Sequence, residues 1–131
     1  MRRSDAIARL GKICGALPDA HEKAFGGHTA PTWRVRDKIF AMTGERGRPN
    51  VTCKAPPGAQ AVLVGAEPDR YFVPPYVGHN GWVGAWLDVD VDWDVIAGLV
   101  EDSYRMTAPK RLLAGLDGAA PKSAKSAKKG R

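Results

Sequence analysis

Three sets of side chains in this chain have the type and spacing to do chemistry. Arg34, Arg36 and Lys38 alternate with apolar residues along a β-rich stretch, and Arg46, Arg48 and Lys54 follow closely. Cationic groups projecting from one side of a β-ribbon can lie along a run of phosphates. The same alternation also describes a solvated polar face on a half-exposed sheet. His79-Asn80-Gly81-Trp82 forms the second set, preceded by Tyr76. Its glycines allow a tight loop offering an imidazole, an amide that pairs with base edges and an indole that stacks on a planar ligand. Packing of Trp82 at a strand start is the competing reading. Asp88, Asp90, Asp92 and Asp94 make the third set. On one continuous strand they would share a face at spacings of about 7 Å, which suits oxygen ligation of a hard divalent cation. Asp92 and Asp94 also stand where helix capping and the helix dipole favour acids, and that explanation needs no metal.

Catalysis has little support. His21, His28 and His79 are scattered without zinc-type spacing, and Ser103 and Cys53 have no base evident beside them. No GxGxxG or P-loop pattern occurs, so a binding protein without a cofactor is expected rather than an enzyme.

Charge is distributed unevenly over the 131 residues, whose formal net charge is +6. Residues 1–54 hold eleven Lys and Arg against five acids, whereas residues 88–102 hold six acids and no Lys or Arg. A polyanion therefore meets attraction at one part of the molecule and repulsion at another. Five positives, Lys122, Lys125, Lys128, Lys129 and Arg131, are interleaved with small residues at the C-terminal end. Such a segment has no apolar period, so residues 118–131 are expected to be a disordered basic tail on a domain spanning residues 1–117. If all five cations met phosphates, the tail would add about 4.5 to the salt slope of binding. A tail that serves solubility alone is the other reading.

Two cysteines are too few for a disulfide scaffold, and Cys14 lies on an apolar stripe, so both are expected reduced in a cytoplasmic protein. No apolar run approaches the ~20 residues of a membrane helix, and the first residues lack a signal-type apolar region. The expected partner is double-stranded DNA, bound weakly and mainly through its backbone by a monomer, with no membrane; the alternative is a small-molecule or protein-interaction module using the aromatic surface of residues 71–86.

The elements that must hold these residues follow from periodicity. Ser4 suits an N-cap, and Ile7, Leu10, Cys14 and Leu17 recur at helical spacing up to Pro18. Strands are expected over 21–25, 32–36, 39–43, 50–54 and 82–89, with residues 32–43 forming a hairpin that turns at Asp37-Lys38. A short helix is expected over 60–65, and 71–81 is irregular because Pro74-Pro75 excludes a central strand. Asp92 caps a final helix burying Val95, Ile96, Leu99, Val100, Ser103 and Tyr104, broken at Pro109 and resumed over 110–116. Adjacent strands with short links and a helix at each end predict a two-layer α+β domain, its antiparallel sheet having about four or five strands flanked by the N- and C-terminal helices.

Several segments together resemble the MmcQ/YjbR family of small bacterial proteins. They are Arg70–Val83 (RYFVPPYVGHNGWV), Trp93-Asp94 and Asp102–Leu112 (DSYRMTAPKRL), with Leu17-Pro18, Trp33–Phe40 (WRVRDKIF) and Asn50–Lys54 (NVTCK) in the family's order upstream. The match covers nearly all of residues 4–116. It implies a CyaY-like α+β fold and DNA binding by wing-like projections. The basic tail is not part of the family pattern.

Overall fold

The computed structural model describes residues 3–24, 30–43, 48–75 and 77–119. Its elements run α1 (Arg3–Gly15), β1 (His21–Ala24), β2 (Pro31–Val35), β3 (Lys38–Met42), β4 (Asn50–Cys53), α2 (Ala59–Ala66), β5 (Tyr71–Phe72), a one-turn 3-10 helix (Gly78–Asn80), β6 (Val83–Trp86), α3 (Trp93–Thr107) and α4 (Lys110–Ala119). The strands form one open antiparallel sheet in the order β1-β2-β3-β4-β6-β5. This is the expected α+β architecture, with one strand more than the sequence suggests. The addition is β5, two residues at the sheet edge, where Val73-Pro74-Pro75 stop further pairing.

The helical layer follows from apolar stripes meeting the inner face of the sheet. Ala6, Leu10 and Cys14 of α1 and Ile96, Val100, Ser103 and Tyr104 of α3 are buried. They pack with Trp33, Val35, Phe40, Ala41, Val51, Cys53, Val83 and Ala85 from the strands. Phe40 and Tyr104 meet edge to face at 5.4 Å, and the Tyr104 hydroxyl donates to the Pro18 carbonyl at 2.6 Å. That bond satisfies the polar end of a fully buried ring. Asp92 caps α3 as expected, accepting from the Asp94 amide at 3.1 Å.

Four local expectations are corrected. Ser4 lies inside α1 rather than before it, because the helix already begins at Arg3. Val95 is 44% exposed, since the core-facing stripe of α3 passes through Ile96, Val100 and Tyr104. The strand expected over 82–89 is only Val83–Trp86, so the aspartate alternation falls in a bend-rich link to α3. The hairpin turns at Arg36-Asp37, not Asp37-Lys38, with Val35 paired to Lys38. Both turn residues have positive φ, 53° and 67°. A two-residue hairpin loop needs that hand to match strand twist, and the fold imposes it on non-glycine residues. A register shift at Trp33/Arg34 then lets Phe40 and Ala41, adjacent in sequence, both be buried.

Candidate nucleic-acid interface

Strand alternation sends Arg34, Ile39, Met42, Thr52 and Trp82 to the sheet face opposite the helices, while Trp33, Ala41, Val51, Cys53 and Val83 point to the core. On the outer face a groove of about 670 Å³ opens beside the β2–β3 hairpin. Arg34, Lys38 and Lys54 bring cations to it, and among the described residues of its lining Asp37 supplies the single carboxylate. Its floor is apolar, formed by Ile39, Met42, Pro75, Val77 and the Trp82 ring.

The cations are held but not neutralised. The Arg34 Nε donates to the Thr32 hydroxyl at 3.3 Å, and the Lys54 ammonium lies 5.9 Å from the centre of the Trp82 ring. Among the described residues none of Arg34, Lys38 and Lys54 forms an ion pair with a carboxylate. Burial pushes the Lys54 ammonium below the ordinary lysine pKa, and the neighbouring Lys38 charge pushes it the same way. Two like charges therefore face one partly apolar space, an arrangement that an incoming anion relieves.

Two residues outside the sequence-derived set position the groove. Ser103 on α3 accepts from the Lys54 backbone N–H at 2.9 Å and donates to the Phe40 carbonyl, fixing the end of β4. The Gln60 amide on α2 donates to the carbonyls of Gly78 and Trp82, at 2.8 and 2.6 Å, pinning both ends of the 3-10 turn. Ser103 is readable as a polar break in an apolar stripe. Gln60 has no signal in the sequence, because its partners lie 18 and 22 residues away.

The remaining expected residues lie elsewhere. Arg48 donates from Nε and an Nη to the two carboxylate oxygens of Asp88, both at 2.8 Å, and lies 4.0 Å from the Trp86 ring centre. Those hydrogen bonds hold the Asp88 carboxyl below its usual pKa and the Arg48 guanidinium above its own. Arg48 is thus a neutralised cation, and it does not line the groove. Arg36 sits at the hairpin tip, 3.9 Å from Asp19. His79 and Asn80 are exposed on the 3-10 turn beside the groove but do not line it. Arg46, Tyr76, Lys122, Lys125, Lys128 and Lys129 fall outside the described residues.

The acidic set does not converge either. Asp88 is engaged by Arg48 and Asp92 by the α3 amides, while the strand that would align them with Asp90 has ended at Trp86. Among the described residues no group of three His, Cys, Asp or Glu side chains is arranged to hold a metal ion. No described helix is long and apolar enough to cross a membrane. A second cavity, of about 410 Å³, lies between α2, β5 and α3 around Tyr71 and Leu63. Its cation, Arg70, is committed to Glu67 at 3.2 Å and to the Asp90 carbonyl at 2.6 Å.

Comparison with known proteins agrees with this architecture. The YjbR family model matches residues 15–106. A Deinococcus radiodurans protein with a DUF419 domain superposes with a TM-score of 0.68 at 20% identity, covering 75% of each chain. A Pseudomonas syringae protein superposes with a TM-score of 0.57 at 18% identity, covering 82% of this chain and 99% of its own. No curated protein matches the chain.

Proposed function

This chain belongs to the YjbR family, and from the geometry of its outer-face groove we propose that it binds DNA, weakly and mainly through the phosphate backbone. The observation that carries this reading is the convergence of Arg34, Lys38 and Lys54 on one groove, Lys38 and Lys54 close enough for one charge to disfavour the other, with Asp37 as the one carboxylate among the described lining residues. A cluster with more cations than carboxylates attracts phosphates, and counterions released from the polyanion drive association. Arg34, Lys38 and Lys54 meet at the groove whereas Arg36 and Arg48 do not line it, so the interface among the described residues is short and the affinity of the folded domain low.

The basic tail adds a sequence-independent component. Its five cations and the groove act on the same ligand through different parts of the chain. The protein works as a binding module rather than a catalyst, and as a monomer.

Fluorescence anisotropy of labelled DNA, titrated at several salt concentrations, tests the reading. Lys38→Ala and Lys54→Ala should each weaken binding and lower the salt slope by about 0.7 to 0.9 for every phosphate that the variant no longer neutralises. Removing residues 120–131 should lower the slope further, leaving a residual response from the groove. Full-length protein that gives no response at low salt and micromolar concentration ends the DNA reading.

A further inference from the structure

The rim of the groove suits phosphates, but its floor does not. Ile39, Met42, Pro75 and Val77 offer no hydrogen-bonding side chain, and the half-buried Trp82 ring lies among them. A phosphodiester resting there would lose water without gaining a partner. A flat, weakly polar body carrying an anionic group satisfies both parts: ring against floor, charge against rim. A nucleotide has that division, and a volume of about 670 Å³ lies within the range of small-ligand sites. In a duplex, however, base faces are covered by their stacked neighbours and only base edges reach the grooves. An apolar floor recessed between Lys38 and Lys54 cannot meet such a face.

We propose that the groove receives the exposed face of an unpaired base against Trp82, with the adjoining phosphates on Arg34, Lys38 and Lys54, so that the preferred nucleic acid is single-stranded. This rests on the reading of the groove as a DNA-binding surface and replaces the duplex by a strand. Gln60 holds the Trp82 carbonyl and Ser103 holds the Lys54 amide, so the backbone positions that carry the stacking ring and the cation beside it are held before ligand arrives. Stacking on an aromatic side chain tolerates every base, which predicts little sequence preference.

The test compares, on the full-length chain at one salt concentration, a labelled dT12 strand, the same strand made abasic throughout and a 12-base-pair duplex. Intact dT12 should bind at least about fivefold tighter than the abasic strand, the lower end of what one stacked base gives. It should also bind tighter than the duplex, although the duplex has the higher charge density and is the ligand a basic tail alone would prefer. Trp82→Ala should remove the difference between intact and abasic strands.

Trp82 fluorescence supplies an independent reading. Trp33 is buried, Trp86 is stacked on Phe72 at 4.1 Å, and Trp93 is covered by Arg9 at 5.0 Å. Quenching by dT12 should therefore disappear in Trp82→Phe. The strand comparison uses unaltered protein, so it stands even if a Trp82 variant fails to fold. Equal affinity for intact and abasic strands, or duplex binding as tight as dT12, overturns the inference and leaves the DNA reading intact. Thymidine monophosphate competing as well as dT12 reassigns the groove to free nucleotides and also overturns it. Absence of binding to all of these ends both readings.

Discussion

Ser103 ties α3 to β3 and to the end of β4: its hydroxyl, fully buried, accepts from the Lys54 amide at 2.9 Å and donates to the carbonyl of Phe40. The side chain of Lys54 then turns to the groove while its backbone stays tied to the helical layer. Ser103→Ala leaves an N–H and a C=O without this partner in the interior. Each orphaned group costs about 1–3 kcal/mol. Urea unfolding should show a loss of that order, together with weaker DNA binding. Unchanged stability would mean that water or another donor serves both groups.

Asp88 withholds a cation from any polyanion by occupying both arms of Arg48. Asp88→Ala frees that guanidinium over Trp86 and removes a repelling carboxylate. DNA affinity should rise at low salt, and the salt slope should steepen by about 0.7 to 0.9 if the released Arg48 finds one phosphate. Arg48→Ala in the native background should change binding little. A large fall in affinity for Arg48→Ala would contradict its pairing with Asp88.

Lys54 gives the groove a pH dependence whose sign can be worked out. Burial and then the Lys38 charge lower its pKa, so the folded protein releases this proton before the unfolded chain does. Between the two pKa values the unfolded chain binds more protons, and this group makes stability rise with pH. DNA affinity should fall through the same window, as the groove loses a charge below the ordinary lysine range. Titration of the Lys54 side-chain nitrogen by NMR checks the direction, and Lys38→Ala should move its midpoint upward. A Lys54 midpoint at the usual lysine value would remove the argument from like charges.

Cys14 and Cys53 should be inert in the native state. Burial drives the Cys53 thiol up to about 12, helped by the Asp102 charge, and burial raises Cys14 as well, with Cys53 as its charged neighbour. The thiolate is the reactive form, so a disulfide reagent at pH 8 should label neither residue until denaturant is added. Labelling of the folded protein at the rate of a free thiol would show that the core opens readily.

Much of the fold was legible because its signals are local. The stripe Leu10–Cys14, the cap at Asp92 and the alternation around Trp33 and Val35 each decide an element within a few residues, and the elements stand where those signals put them. The hairpin turn is displaced by one residue because nothing in Arg36-Asp37 advertises the left-handed conformation that Asn-Gly would. The register shift at Trp33/Arg34 hid part of the groove floor: it places Met42 opposite Thr32, on the outer face with Ile39, where plain alternation along β3 would have turned Met42 inward. The site was legible as residue types and not as a set. Arg34, Lys38, Lys54 and Trp82 converge, whereas Arg48 is removed by an aspartate 40 positions away that no local pattern connects to it.

The register between β3 and β4 pairs Ala41 with Cys53 and Met42 with Thr52, a short seam between the hairpin arm and the rest of the sheet. Lys38 and Arg34 ride on one bank of that seam and Lys54 and Trp82 on the other. A strand lying across the groove would act as a suture, and amide exchange at Ala41 and Met42 would slow with occupancy even though neither backbone touches the guest.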